Sequence, residues 1–412
     1  MLPLRRTFDE ATGGLPRVFW TLWWGMLVNR LAGFVITFLA LYLVRERGFS
    51  EAAAGRVVAL YGLGIVVAGP VGGAVADRVG RRVTMLAGLV LGALFVAALA
   101  LAHAPGWLAL LTFLAGATGE LYRPAMNAAV ADVVPPPDRA RAFGLVYWAV
   151  NLGWALGLFV AGLLAGWGLQ VLFFADAATT LGFAALVALR LPETRPAGLV
   201  HEPALAGLAR VLRDGPYLAF LLLNLAMLII FTQFQLAAAV DLSAHGVSER
   251  AWAFLLAING VGVVVLQPLL TPRLAGQDGV KLLAVSALLV GLGFALNAIQ
   301  GHLAVYALGM ALWTVGEVVG FPAASTLVAD LAPAHLRGRY QGAFSMSWGV
   351  AFTLSPIIGG EVLGRFGGPT LWLGCLIVGV LVALGHLLAG PARRRRLAEV
   401  RAQASAPAAR TG

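Results

Sequence analysis

Four ionisable residues, Arg30, Glu120, Arg123 and Glu317, stand near the middle of long apolar runs. An ionised side chain at the centre of a bilayer costs roughly 2.5 to 3.5 kcal/mol on insertion scales, so such groups are expected to find partners. Glu120 and Arg123 are three residues apart and share a helical face, and the four formal charges sum to zero. A neutral set can be buried. A carboxylate released by its arginine into an apolar cavity takes up a proton. Glu317, with no basic residue within a helical turn of it in sequence, is the first candidate for proton coupling, and Glu120 the second. Arg30 and Arg123 complete the charge network or clamp an anionic substrate. The competing reading is a static salt-bridge network. Asp176 reads as a wet or capping group, with coupling as its alternative, while Asp241, Glu249 and Glu361 read as peripheral. Asn29, Asn151, Asn224, Gln233, Gln235 and Asn259 are cavity donors or interhelical glue. Trp24 and Trp313 would give a cavity an aromatic lining, whereas Trp20, Trp107, Trp167, Trp252 and Trp372 lie near segment ends and read as interface anchors.

The elements that must hold these residues are set by composition. The 412 residues are 60% hydrophobic and 12% charged, with a mean hydropathy of +0.87, whereas a soluble domain carries roughly 25% charged residues. A water-soluble enzyme is excluded. Apolar segments of helix length, about 20 residues each, recur near 18–44, 52–76, 83–103, 107–131, 142–166 and 171–190. Six more fall near 216–240, 251–271, 281–299, 303–329, 340–364 and 370–390. The expected fold is an all-α membrane protein of twelve transmembrane helices. Sorted by loop parity, 22 of the 29 basic residues fall on the side that carries both termini and five on the other, so that side is cytoplasmic by the positive-inside rule. Arg5 and Arg6 precede a full-length span without a small-residue cleavage site, so the first span is expected to be retained. The expected location is the cell membrane, multi-pass.

Several chemistries find no support. The net charge of +10 is spread along the chain and does not gather on one domain as nucleic-acid binding would require. Cys375 is the sole cysteine, and His103, His201, His245, His302 and His335 lack metal-ligand spacing. Gly62, Gly64, Gly291 and Gly293 lie inside apolar runs rather than a strand-turn-helix context, so nucleotide binding is not expected. No cofactor or metal is expected, and the partners are a small-molecule substrate, protons and the lipid bilayer, with the chain acting as a monomer.

Offsetting the chain by 198 residues aligns Pro124–Gly144 with Pro322–Gly342 without a gap, and nine of the 21 positions are identical. Asp132/Asp330, Arg139/Arg337 and Arg141/Arg339 are among them. The repeat implies two pseudo-symmetric six-helix bundles, at 1–190 and 215–390, with a cytoplasmic linker at 191–214 and a basic tail at 391–412. Pro203 to Arg213 reads as a short interfacial helix within that linker. Parallel repeats imply a site at mid-depth between the halves, around which they rock.

The loop Gly73-Ala-Val-Ala-Asp77-Arg78-Val-Gly80-Arg81-Arg82 resembles the signature of the major facilitator superfamily between its second and third helices. The resemblance implies that Asp77 faces the start of the eleventh span, near Arg337 and Arg339, and latches an outward-open state. It also implies that helices 1, 4, 7 and 10 line the central cavity, which would bring all four intramembrane charges into one chamber. The region from Pro124 to Gly144 is similar to the drug:proton antiporter branch. Two features depart from that branch. Thr112 stands ahead of Gly116 where the branch carries an arginine, and its helix-5 antiporter motif is reduced to Gly153, Gly157 and Gly162. The eleventh span carries the fuller copy as Ser355, Pro356, Gly359 and Gly360, which also fits ordinary small-residue packing.

These readings lead to a secondary transporter working by alternating access, with proton-coupled export of small amphipathic compounds as the expected activity. A proton-coupled importer of a small organic anion is the alternative. A non-transporting receptor or scaffold on the same fold is the alternative from another class.

Overall fold

The computed structural model describes residues 12–33, 35–164, 167–196, 204–235 and 237–405, so Arg5, Arg6, His201, Pro203 and Arg410 lie outside the described residues. Nearly every described residue outside the connections is helical. Helix starts carry local signals that satisfy orphan backbone donors. Ser50 accepts from the Ala53 amide at the start of α3 (Glu51–Val79), and Ser248 does the same for Ala251 in α12 (Glu249–Leu274). Asp214 caps α10 (Gly215–Phe231) and Asp278 caps α13 (Gly279–Ala295).

Eight helical stretches among the described residues are individually long and apolar enough to cross a membrane. Of the expected segments outside these eight, the fifth is one continuous helix, α7 (Arg139–Leu164), and two are interrupted. The first is split into α1 (Arg17–Arg30) and α2 (Val35–Arg45) by a break after Arg30. The fourth is split into α5 (Pro105–Gly119) and α6 (Tyr122–Val133) at Glu120. The seventh, which is one of the eight, is built of α10, a 3-10 turn at Thr232–Gln235, and α11 (Ala237–Ala244). Conversely, the last two expected segments run on as α15 (Arg337–Leu388), with Gly367 at φ 79 inside it. At 1.5 Å per residue, its 52 residues amount to about 78 Å of helix, enough for two crossings of a roughly 30 Å hydrocarbon core.

The remaining elements are α4 (Arg81–Leu101), α7 (Arg139–Leu164), α8 (Leu169–Arg190), α9 (Ala204–Arg213), α14 (Leu303–Leu331) and the tail helix α16 (Gly390–Ser405). Buried apolar side chains gather into clusters drawn almost wholly from one side of the linker or the other. Packing between the two parts runs chiefly along α3 against α15 and α7 against α12 and α14. A Cβ on Gly73 would lie 2.2 Å from the Gly338 carbonyl, so only a bare glycine lets α3 approach α15 this closely.

Candidate functional site

Glu317 is 2% exposed on α14. The Tyr147 hydroxyl of α7 donates to one carboxylate oxygen, and Asn259 Nδ2 of α12 donates to the other at 2.6 Å. Asn259 also donates to Thr314 Oγ1 at 3.1 Å, one helical turn before Glu317. Asn151 fastens to the Tyr147 carbonyl at 3.0 Å, and the Tyr147 ring sits edge-on to Phe321. Both carboxylate oxygens are therefore held by neutral donors, one from before the linker and one from after it.

Arg30 and Glu120 occupy the two helix breaks. Arg30 Nη2 lies 3.4 Å from Glu120 Oε1 and donates to the Tyr122 hydroxyl at 2.8 Å. Arg123 Nε pairs with Glu120 Oε2 at 2.7 Å, as the three-residue spacing allows. The expectation of one four-charge network requires correction. Arg30, Glu120 and Arg123 form a cluster confined to α1 and the α5–α6 break, while Glu317 bonds to Tyr147 and Asn259. The reason is geometric: Glu120 sits on the same broken helix as Arg123 and takes both guanidinium groups.

At the expected cytoplasmic end, Asp77 on α3 accepts from the backbone amides of Gly338 at 2.7 Å and Arg339 at 2.9 Å, the first turn of α15. Arg81, with a fully buried side chain, reaches Asp77 at 3.0 Å and Asp132 at 3.1 Å. Arg337 reaches Asp132 at 2.5 Å, and Arg139 reaches Asp330 at 2.5 Å. These last two pairs are images of each other under the 198-residue repeat. Gly80 adopts φ 123, a region that strongly favours glycine. Its turn lets Glu193 of the linker accept from the Arg81 and Arg82 amides at the start of α4. Arg82 Nη2 donates to the Ala188 carbonyl, and Arg195 donates to the Arg78 carbonyl.

Gly153 and Gly157 of α7 lie against the break after Arg30, where added methyls would come within 2.6 Å of the Arg30 Cβ and 2.9 Å of the Leu31 carbonyl. Gly162 is on α7. On α15, Ser355 Oγ donates to the Ile229 carbonyl, Gly359 abuts Gln233, and Pro356 and Gly360 lie within the helix. Trp313 is buried among Phe231, Phe234 and Phe294, whereas Trp24 is 56% exposed.

Two expectations fail on α15 and α11. Trp372 is fully buried rather than an interface anchor, and Asp241 is buried rather than peripheral. The Trp372 indole donates to Asp241 at 2.6 Å because the Gly367 kink turns the following helix under α11. Tyr122 and Tyr147 were not among the expected site residues. Tyr122 could have been singled out as a hydroxyl between Glu120 and Arg123. Tyr147 lies 170 residues from its carboxylate, and nothing local marks it. Among the described residues, no group of three or more His, Cys, Asp or Glu side chains is placed to hold a metal.

A family model described as Major Facilitator Superfamily matches residues 22–316 and 225–411. An "Uncharacterized MFS-type transporter YhjO" of Bacillus subtilis is 26% identical over 352 residues, covering 84% of this chain and 87% of the relative. A "Multidrug resistance protein MdtH" of Cronobacter sakazakii is 30% identical over 348 residues, covering 82% and 83%. Among solved structures, the human organic anion transporter MFSD10 superposes with a TM-score of 0.78 at 20% identity, over 90% of this chain and 99% of that one. The fucose:proton symporter FucP of E. coli does so with a TM-score of 0.74 at 16% identity, over 91% and 98%. The relatives are transporters rather than enzymes, and MdtH lies in the branch that the Pro124–Gly144 region resembled. With its apolar helices and a family model covering nearly its whole length, the chain belongs to the major facilitator superfamily and is a multi-pass membrane transporter.

Proposed function

We propose that the protein is a twelve-pass secondary transporter that exports small amphipathic compounds in exchange for protons. Its two six-helix bundles are residues 1–190 and 215–390, and both termini are cytoplasmic. Support for twelve passes comes from the interrupted segments, whose pieces together reach span length, and from the length of α15. The excess of basic residues on one side supports the orientation. The MdtH relatives support export of drug-like compounds.

The observation that carries proton coupling is the setting of Glu317. Glu317 and Asn259 lie after the linker and Tyr147 before it, so rocking one bundle against the other separates the carboxylate from Tyr147. An ionised carboxylate stripped of a donor inside a bilayer is costly, and a proton removes that cost. Proton loading at Glu317 is thereby tied to the conformational change. The Asp77 contact with α15 holds the cytoplasmic ends together in the outward-open state, where it also exploits the partial positive charge of a helix N-terminus.

The test is transport in proteoliposomes with and without a pH gradient, using a panel of amphipathic cations. Glu317→Gln is expected to abolish gradient-driven movement while the protein remains folded, and unaltered coupling in that variant refutes the reading. Uptake of a small organic anion is favoured by one observation. Arg30 and Arg123 share the single carboxylate of Glu120, leaving the cluster at net +1 with Arg123 partly exposed. Gradient-driven uptake of an anion, with no movement of cations, would select it.

A further inference from the structure

From the Arg30 cluster a continuous hydrogen-bonded chain leads to α8. Arg30 Nη2 donates to the Tyr122 hydroxyl at 2.8 Å, and that hydroxyl donates to Asn29 Oδ1 at 3.1 Å. Asn29 Nδ2 donates to Thr180 Oγ1 at 2.8 Å, and Thr180 Oγ1 lies 3.3 Å from Asp176 Oδ1, to which it donates. The links alternate between α1, α6 and α8, and all run in one direction. The chain starts at a cation and ends at a carboxylate. Tyr122, Asn29, Thr180 and Asp176 are each less than 10% exposed. With Asp176 counted, Arg30, Arg123, Glu120 and Asp176 sum to zero, the neutrality that burial in a bilayer favours.

We propose that Asp176 is a second proton-exchanging carboxylate, and that its protonation acts on Arg30 through this chain as a positioning effect. The proposal rests on the proton-coupled reading for its role in transport, but the link itself does not. No proton travels along the chain, because the Asn29 amide cannot pass one at neutral pH. What passes is hydrogen-bond order. With Asp176 ionised, Thr180 donates to it and every link points toward α8. A protonated Asp176 donates to Thr180, whose hydroxyl then turns to donate onward. The Asn29 amide flips to accept at its oxygen and offers its nitrogen to Tyr122. The Tyr122 hydroxyl still accepts from Arg30 and turns its own proton to Met26 Sδ, 3.6 Å away. A buried polar chain whose members are all satisfied in either order behaves as a two-state element.

The consequence falls on Arg30. It is divided between Tyr122 at 2.8 Å and Glu120 at 3.4 Å, the latter longer than an ordinary charge-assisted bond. Reversal of the chain makes Tyr122 a poorer acceptor, since one of its lone pairs is now taken by Asn29. Arg30 then moves toward Glu120, and the hold of Glu120 on Arg123 loosens. Tyr61 of α3 lies within electrostatic reach of Asp176, Glu120, Arg30 and Arg123. Toward the ends of α8, Tyr42 of α2 meets Phe173 edge-on, and Arg82 of α4 meets the Ala188 carbonyl.

The experiment is infrared difference spectroscopy on the full chain in lipid, across a pH step, reading the carbonyl stretch of protonated carboxyls. Carbon-13 aspartate labelling separates aspartate from glutamate bands. Asp176→Asn is expected to delete one aspartate band, and Thr180→Val to shift it. Tyr122→Phe, three bonds away, is expected to shift the same band, whereas Thr180→Ser leaves it in place. A purely local role for Thr180 would leave the band unmoved in Tyr122→Phe, and that result overturns the proposal. Should Asp176→Asn not fold, the labelled wild type with Thr180→Val and Tyr122→Phe still decides the matter. If the bands respond as expected but a pH gradient drives no transport, the link stands and the proton-coupled reading falls. If a pH gradient drives transport and the aspartate bands are identical in all variants, the link falls and the coupled reading stands.

Discussion

Asp77→Asn isolates the contact between α3 and α15. The carboxylate accepts two backbone amides of the carboxy-terminal part, Gly338 at 2.7 Å and Arg339 at 2.9 Å. Asparagine keeps the shape and one acceptor oxygen but loses the charge and the second acceptor. One hydrogen bond to a charged group is worth about 1.5 to 3 kcal/mol. Arg81 is not stranded, because Asp132 holds it at 3.1 Å. The lost energy belongs only to the state in which α3 and α15 meet, so the variant shifts the conformational equilibrium toward separation by about ten- to a hundredfold. A cysteine at Thr271 reads this shift. Thr271 is 3% exposed, and its hydroxyl lies where a methyl on Gly144 of α7 would come within 2.7 Å. In a Cys375→Ser background, Thr271→Cys should react with a bulky maleimide about ten- to a hundredfold faster once Asp77→Asn is added. An unchanged or slower rate would refute the assignment of Asp77 to the closed interface.

Three further outcomes follow from the same geometry. Arg139→Asp and Asp330→Arg should each impair turnover, and the double swap should restore most of it, as a reciprocal ion pair requires; a double variant no better than its parents removes the pair from the interface. A methyl on Gly73 would fall 2.2 Å from the Gly338 carbonyl, so Gly73→Ala should cost the α3–α15 contact about 1 to 3 kcal/mol and speed Thr271→Cys labelling, and normal labelling contradicts this. Asp241→Asn weakens the 2.6 Å bond from Trp372, and about 1.5 to 3 kcal/mol of stability should be lost, read as a lower unfolding temperature in detergent.

The sequence made the lipid-spanning character legible because apolar length is a one-dimensional property. The internal repeat was legible for the same reason, and Asp132, Arg139, Asp330 and Arg337 surfaced as its identical positions before their pairing was visible. The pairing itself crosses from one repeat to the other, so no pattern within either copy reveals it. Arg30, Glu120 and Arg123 stood out as charges in apolar runs, yet their division into a cluster separate from Glu317 depends on where α1 and α5 break. Glu193 and Asp214 were hidden differently. Both lie in the linker, where no local pattern marks them, but Glu193 caps α4, and Asp214 caps α10 while accepting from Tyr340 at 2.6 Å and Arg396 at 2.9 Å. Trp372 and Asp241 were misread because nearness to a segment end says nothing about which way a kink at Gly367 turns the next helix.

On the proposed reading, the two carboxylates divide the work by where their partners sit. Glu317 and Asn259 lie after the linker and Tyr147 before it, so rocking of the two parts breaks the Tyr147 bond to Glu317. Its ionisation therefore reports the conformational change. Arg30, Tyr122, Asn29, Thr180 and Asp176 all belong to helices before the linker, so the same rocking carries them along as a unit and their bonds survive it. Asp176 can then exchange its proton without opening the interface, and its effect reaches the centre through Arg30. Glu317→Gln should abolish coupling outright, whereas Asp176→Asn should flatten the pH profile of transport while gradient-driven movement persists. Equal loss of coupling in both variants would mean that the two groups titrate as one site, and the separation of roles would be wrong.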